Sequence, residues 1–562
     1  MRLCHAADNI GVRALQPDLE QIVAVHGEVV AHGQTAARSE RQVLAHAIVL
    51  CEERRNAVAD GVGANRRIAD GQPPDLARGE HVPLEQAGRN RQDVGHAAQQ
   101  RDRTALRTLL KQRVDVNLPQ ADGATALAWA AHWDDSETAD LLIRAGANVD
   151  AANDHGVTPL SLACLNGSQA MVERLLSAGA NANLARSTGE TPLMTAAQTG
   201  NVVVVKALLA HGARVNASTT ESKQTALMWA ISERHSAVVG VLVEAGADVG
   251  ARSAGGFTPI LFAARQGDIE SAQIVLDHGA DVDDRGPGGT SALVVAAASG
   301  REDVAILLLE HGADPDSNGA RYTALHAGVP KDLRKLVRAL LAYGADPNVR
   351  LGNAPPSIFG PSRGAGSEVV AESGADKTGS GGNPLTGATP FWLAARNVNV
   401  DIMRLLAEAG ADPSTTTDNG TTPLMAAAGI TQVQGPRARR GDVSAFYSNW
   451  GEQDALDAVT FLVERGAAVS AVNKVGQTAL HGAAYMGGTP IVQFLLDHGA
   501  SLNPQDAQGQ TPYRIAEGHL NVASQGVTSW PKTAALLKES GADTTLGVDG
   551  RTMLRQYGRQ RP

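Results

Sequence analysis

One phrase of the sequence recurs about every 33 residues, and this period constrains the fold more than any other feature. The stretch TPLSLACLNGSQAMVERLLSAGANAN begins at Thr158, and TPLMTAAQTGNVVVVKALLAHGARVN begins at Thr191. Eleven starts of this kind keep phase, at Thr125, Thr158, Thr191, Thr225, Thr258, Ser291, Thr323, Thr389, Thr422, Thr478 and Thr511. Such a period predicts a solenoid, because one short unit cannot bury its apolar surface alone but stacked neighbours can.

Each unit carries the signals of two short helices. In the unit that begins at Thr158, the threonine hydroxyl can cap the first helix, and Pro159 fits the first helical position. Apolar residues recur at helical spacing in both halves of the unit, and Gly167 separates the halves. Gly179 supplies the left-handed residue that closes the second helix. The pattern therefore predicts an all-α repeat fold of helix, loop, helix and a polar hairpin.

These phrases resemble the ankyrin repeat, in the form of the bacterial proteins that carry many such repeats. The resemblance rests on the TPL or TAL starts, on alanine pairs such as Ala196–Ala197, on LLxxGAxxN, and on His326 and His481, which match the family's TPLH histidine. It covers roughly 93–545, including a twelfth, N-terminal unit in which Arg113 stands where the others have glycine. We expect that helix end to be strained or built differently. It implies a curved superhelix of about twelve units, with hairpin tips on one side.

Two long steps between starts predict insertions. The step from Thr323 to Thr389 is two periods, and 351–383 within it hold eleven Gly or Pro, so we expect a loosely ordered hairpin insertion. A decayed repeat is the alternative, because SEVVAESGAD mimics a second helix. The step from Thr422 to Thr478 places extra residues, near 430–454, between the two helices of one unit. The predicted domains are repeats 1–8 in 93–350, the insertion 351–383, repeats 9–12 in 384–545 and a polar tail in 546–562.

The first 92 residues lack the repeated phrase and contain eleven arginines but no lysine. Three interpretations stay open: a disordered leader, a small helical domain around ERQVLAHAIVLCEERR, or a start assigned too far upstream, and the last is slightly favoured. As written the chain looks cytoplasmic, and a different true start would allow an exported, periplasmic protein. The compartment and the oligomeric state are therefore not predicted.

Composition excludes several classes of function. A net charge of −10 argues against a nucleic-acid binder. Three cysteines and no apolar run of about 18 residues argue against a disulfide framework, a metal cluster and a membrane span. We expect the histidines before four closing glycines to bond the last carbonyls of their helices instead of a metal; these are His211, His278, His311 and His498. No cofactor is predicted.

The sequence shows no catalytic grouping. Cys164 replaces an alanine on a buried helix face, so an inert buried thiol is expected. The glycines of 286–289 lack the lysine and the strand–loop–helix context of a phosphate loop. We therefore expect no enzyme. The alternative is an effector or enzyme whose activity resides in the N-terminal segment or an insertion.

What remains is a surface that holds a partner protein. The resemblance implies that hairpin tips and the solvent ends of first helices bind; by phase the candidates are Trp133, Asp154, His155, Glu190, Phe257, Arg265, Arg396, Tyr485 and Met486. Trp133 and Tyr485 are predicted to be exposed aromatic contacts, with packing on adjacent tips as the alternative. In the second insertion the candidates are Arg439, Phe446, Tyr447 and Trp450, with a small satellite core as the alternative. The predicted function is a protein-interaction scaffold whose acidic balance favours a partner with a basic patch.

Overall fold

The computed structural model describes residues 93–317, 321–352, 385–430, 451–521 and 526–552. In these ranges, helices occur in pairs, one pair for each unit. The first helices are α1 (Asp93–Gln99), α3 (Ala126–His132), α5 (Pro159–Asn166), α7 (Pro192–Thr199), α9 (Ala226–Ser232), α11 (Pro259–Gln266), α13 (Ala292–Ala298), α15 (Ala324–Gly328), α17 (Pro390–Arg396), α19 (Pro423–Ala427), α21 (Ala479–Met486) and α23 (Pro512–Gly518). The second helices are α2 (Arg103–Lys111), α4 (Ser136–Arg144), α6 (Gln169–Ser177), α8 (Val202–Ala210), α10 (Ser236–Glu244), α12 (Ile269–Asp277), α14 (Glu302–Glu310), α16 (Arg334–Ala342), α18 (Val400–Glu408), α20 (Glu452–Glu464), α22 (Thr489–Asp497) and α24 (Pro531–Glu539).

The helices stack in two layers. Each first helix packs on the first helix of the next unit, and from α4 onward each second helix packs on the next second helix. One apolar core runs through the stack between the layers, and it is lined by small side chains such as Ala196, Ala197 and Ala263, all fully buried. Alanine lets neighbouring helices approach closely, which is why this core needs few aromatic residues. The arrangement confirms the predicted all-α repeat solenoid.

Helix ends follow the sequence signals. Thr158 caps α5: its hydroxyl accepts the backbone N–H of Ser161 at 3.2 Å, and the Ser161 hydroxyl accepts that of Thr158 at 3.0 Å. Gly167 ends the helix in the left-handed region, at a φ of 64°. The sequence predicted a strained or altered helix end at Arg113, and this residue does adopt a left-handed φ of 57°. An L-residue pays roughly 1 kcal/mol or more for this conformation, whereas glycine does not.

The units that begin at Thr323 and Thr389 are direct neighbours in the stack. The backbone N–H of Leu351 donates to the carbonyl of Ala388 at 2.8 Å, and that of Gly387 donates to the carbonyl of Leu351 at 2.9 Å. These are the closing bonds of an ordinary hairpin, so the additional residues enter after Leu351 and return before Leu385. Of the expected insertion 351–383, residues 353–383 lie outside the described residues.

Two further irregularities interrupt individual units. Residues 431–450, between α19 and α20, lie outside the described ranges, so the insertion expected near 430–454 stays a prediction. In the last unit, β1 (His519–Asn521) and β2 (Gly526–Thr528) pair antiparallel between α23 and α24, with His519 opposite Thr528. Among the described helices, none has the length and apolar character that a membrane span requires.

Candidate partner-binding surface

Backbone hydrogen bonds join the hairpin tips of successive units. In each of these tip bonds, a backbone N–H donates to a carbonyl of the preceding tip: Asp154 to Asp122 at 3.3 Å, Ser187 to His155 at 3.3 Å, Thr220 to Thr188 at 2.9 Å, and Ala254 to Ser222 at 2.8 Å. The same pattern recurs between later tips, for example from Asp418 to Thr386 at 2.9 Å. The tips therefore form an edge whose backbone is held in position before any partner arrives.

A second set of bonds joins the loops that follow the second helices. The side chain of Asn183 accepts the backbone N–H of Arg214 at 2.8 Å and donates to the carbonyl of Gly212 at 2.8 Å. Asn117, Asn216 and Asn348 make the same two loop bonds to their next units. Each asparagine thus satisfies two backbone groups of its neighbour and fixes the spacing of the units.

Trp133 lies at the solvent end of α3 and remains 38% exposed. Its indole N–H donates to the carbonyl of Gln99 in the first unit at 3.1 Å, and its ring stacks on Trp129 with 6.4 Å between centroids. His132 meets it edge to face at 4.6 Å. The ring thus both packs on the neighbouring unit and keeps free surface, which combines the two interpretations of the sequence.

Sequence reasoning missed two half-buried tryptophans on the first helices. Trp129 and Trp229 each stand four residues after the start of their unit, and each indole N–H donates to a glutamine side chain of the hairpin. The partners are Gln120, at 2.7 Å, and Gln224, at 3.2 Å. A comparison of this one position across units would have found them, because most units carry smaller side chains there.

Phe257 extends this set to the hairpin before α11. Its half-buried ring lies 5.9 Å from the buried ring of Phe262. We call Trp129, Trp133, Trp229 and Phe257 the aromatic row. Their polar atoms are engaged within the protein, so the surface they still expose is apolar ring.

The charged candidates differ in how firmly they are held. Asp154 and His155 are exposed at one tip, and Arg265 is exposed at the end of α11. Glu190 is half-buried, because Arg186 pairs with it at 3.1 Å and the Thr195 hydroxyl donates to it at 2.9 Å. Arg396, at the end of α17, is also half-buried.

Tyr485 does not take the predicted exposed position but the alternative, packing on the next unit, and the solvent position predicted for Met486 is wrong, because both side chains are buried. The Tyr485 hydroxyl donates to the Gln510 side chain at 3.2 Å, and the ring meets His519 edge to face at 5.1 Å. Burial raises the pKa of Tyr485 above its ordinary value. The cause lies in the last unit, whose β1 strand brings His519 onto the ring while the Trp530 indole donates to the Tyr485 carbonyl at 2.9 Å.

The remaining four candidates, Arg439, Phe446, Tyr447 and Trp450, lie outside the described residues, and their role stays a prediction.

The histidines before the closing glycines act as the sequence predicted. Each donates from Nδ1 to the carbonyl four residues earlier, at 2.8 to 2.9 Å, in His211, His278, His311 and His498. In the described ranges, no three histidine, cysteine, aspartate or glutamate side chains are grouped to hold a metal ion. Burial raises the pKa of the Cys164 thiol to about 12, which leaves it protonated and unreactive at neutral pH.

The TPLH histidines bond to a neighbouring unit. Nε2 of His326 lies 3.3 Å from the Ala388 carbonyl, and Nε2 of His481 lies 3.2 Å from that of Gln510. Nδ1 of His326 accepts from the Thr323 hydroxyl at 2.8 Å, which requires the neutral ring. Burial lowers the pKa of His326 to about 4, in agreement with a neutral ring.

Comparison with known proteins places these features in context. The family model described as "Ankyrin repeats (3 copies)" matches residues 94–186, 169–253, 260–350 and 449–525, and the model "Ankyrin repeat" matches 386–418. Together these matches cover more than half of the chain.

Two curated relatives match part of the chain. The B-cell lymphoma 3 protein homolog of Mus musculus is 32% identical over 173 residues, which are 28% of this chain and 37% of the relative. The probable 26S proteasome regulatory subunit p28 of Saccharomyces cerevisiae is 30% identical over 162 residues, 28% of this chain and 61% of the relative. The match thus spans less than two thirds of either relative. A solved structure, the human ASB11 ankyrin repeat domain, is 31% identical and covers 40% of this chain and 98% of its own, with a TM-score of 0.36.

Proposed function

The chain belongs to the ankyrin repeat family, and on that premise we propose that it is a scaffold that binds a partner protein with its hairpin tips and the solvent ends of its first helices. One observation carries the proposal: the aromatic row keeps ring surface exposed in a chain with only 3% aromatic residues. Aromatic side chains on a rigid support are the residues that most often dominate binding energy in protein interfaces.

The way the units are tied together favours such binding. Tip bonds and loop bonds hold each unit on its neighbour, so few backbone torsions need to be fixed when a partner docks. The indole N–H groups of Trp129 and Trp229 are already bonded to Gln120 and Gln224. Both rings are therefore oriented in the free protein, and a partner does not have to supply that order.

The partner we propose is a protein with a basic patch. The chain carries a net charge of −10, and the acidic side chain of Asp154 is exposed at one tip. Opposite charge speeds encounter and selects partners more than it adds affinity. The same charge disfavours nucleic acid. The name of the yeast relative describes a subunit of a larger assembly, which supports this class of function.

We assign the binding role to residues 93–545, with 351–383 and 430–454 as attached segments and 1–92 as a separate N-terminal segment. We assign no catalytic role, since the Cys164 thiol is buried and the Thr323 hydroxyl that contacts His326 is closed off from solvent as well. The candidates Arg265 and Arg396 and the four residues of the second insertion remain secondary members of the proposed surface.

The test is affinity capture from the native cell with the full chain as bait, compared with a Trp133→Ala, Trp229→Ala double variant. We expect the double variant to lose the captured protein. Tyr343→Ala is the matched control, because Tyr343 is 49% exposed and lies at the end of a second helix, away from the aromatic row. Equal capture by the wild type and the double variant would contradict the proposed surface.

A further inference from the structure

At one place in the stack, two successive units are joined by neither a tip bond nor a loop bond. We call the chain between the second helix of a unit and the first helix of the next a connection, and the joint lies between the connections 246–257 and 279–290. Both connections are fully described. Neither a tip bond nor a loop bond joins them, although the connections before this joint are tied by both.

The tip bond is missing because proline occupies the donor position. Pro287 stands four residues before Ser291, the place that Ala254 takes before Thr258. Ala254 donates its N–H to the preceding tip at 2.8 Å, but a proline has no N–H to donate. The hairpin forms a short 3-10 turn over Pro287–Gly289 instead.

The loop bond is missing because glycine occupies the side-chain position. Gly250 stands where Asn183 and Asn216 stand in two of the earlier loops. Those asparagines accept an N–H of the next loop at 2.8 Å. Gly250 offers no side chain, so the N–H of Asp281 receives no acceptor from it.

Arg252 makes the hydrogen bonds that do cross this joint. Its Nη1 donates to the carbonyl of Arg285 at 3.0 Å and to that of Gly256 in its own connection at 3.3 Å. Its Nη2 pairs with the Asp284 carboxylate. The guanidinium is half exposed, so the ion pair is open to screening by salt.

From these contacts we infer that the joint is a hinge of the stack and that Arg252 is the latch that holds it closed. The helices keep their packing across it, α10 on α12 and α11 on α13. Opening therefore separates the tips while the helix layers stay in contact. The inference does not depend on the proposed function.

The hinge stands at the end of the aromatic row. Phe257 belongs to the connection on its N-terminal side, and the other members lie in earlier units. A partner that stays on the row leaves the hinge free, whereas a partner that spans the tips on both sides fixes its angle.

Hydrogen exchange of the full chain, read by mass spectrometry, tests the inference. The amide of Asp281 should exchange about fivefold faster than that of Arg214, which occupies the same place but is bonded to Asn183. Arg252→Ala should speed exchange in 253–257 and 281–290, and 1 M salt should do the same to the wild type, since the Debye length then falls to about 3 Å. Arg214→Ala is the matched control, an exposed arginine whose side chain bonds to nothing described.

A restoring variant supplies the missing bonds. Gly250→Asn adds the side chain that accepts from Asp281, and Pro287→Ala adds the missing N–H. Gly250 lies outside the left-handed region, and an added Cβ would sit 3.4 Å from the Asp248 carboxylate, so the substitution fits. The double variant should slow exchange in 281–290 and remove its salt dependence.

Three results would overturn the inference. They are an Asp281 amide as slow as that of Arg214 in the wild type, no response of the joint to Arg252→Ala, and no slowing in the restoring variant. Unchanged exchange in α3 to α8 shows in each case that the variant has folded.

Discussion

His326 bonds to the carbonyl of Ala388 through Nε2, 62 positions later in the chain. His481 makes the same bond to Gln510 across only 29 positions. The two separations differ by 33 residues, which is one period. The units that begin at Thr323 and Thr389 are therefore adjacent in the stack, and one period of chain lies outside the contact between them. The hairpin bonds around Leu351 place that period at 352–384.

Deleting 352–384 should therefore leave the stack intact. The deletion joins Leu351 to Leu385 and recreates a hairpin of ordinary length, and shortening a loop lowers its closure entropy. We expect a thermal midpoint that is unchanged or higher by up to about 3 °C, measured by circular dichroism. A lower midpoint would show that the deleted residues support the core.

His326 should make stability depend on pH. Its pKa in the folded protein is about 4, below the unfolded value near 6.5. Because the unfolded chain binds the proton more readily, the contribution of His326 to the free energy of unfolding is full above pH 6.5 and is lost as the pH falls toward 4. The loss should reach about 3 kcal/mol at pH 4. Unfolding followed between pH 7 and 4 should show a smaller decline in His326→Gln than in the wild type. Parallel declines would mean that another group is responsible.

Arg113→Gly should stabilise the first unit. Arg113 holds a left-handed φ that costs an L-residue roughly 1 kcal/mol, and the gain is partly offset by the greater unfolded freedom of glycine. We expect amide exchange in α2 to slow by a factor of about three. The reciprocal change, Gly179→Ala, should speed exchange in α6, because Gly179 has a φ of 93°. Exchange is the suitable measurement because it reports the local opening of one unit.

Tyr485→Phe should weaken the fold and not the binding. The variant removes the hydroxyl that donates to Gln510 inside a buried cluster, which should cost about 1 kcal/mol of unfolding free energy. Capture of a partner should equal that of the wild type, because the ring is covered by His519. Loss of capture with unchanged stability would show that Tyr485 does contribute to the binding surface.

The sequence by itself determined the repeating part of this protein. The Thr158 cap, the Gly167 break and the histidine bonds at helix ends were all predictable, because each depends on residues within one unit or at a fixed distance in the next. The same regularity predicted both insertions. It also marked Trp133 as a surface residue.

Only the tertiary structure decided which side chains stay exposed. Tyr485 and Trp133 occupy nearly the same position in their repeat units. His519 and Trp530 cover Tyr485, whereas Trp133 is only partly covered. Burial depends on what the irregular segments bring across a unit, and no period encodes that. The hinge at Arg252 required the structure for the same reason. Gly250 and Pro287 are unremarkable alone, and only the structure shows that they remove the loop bond and the tip bond of the same joint.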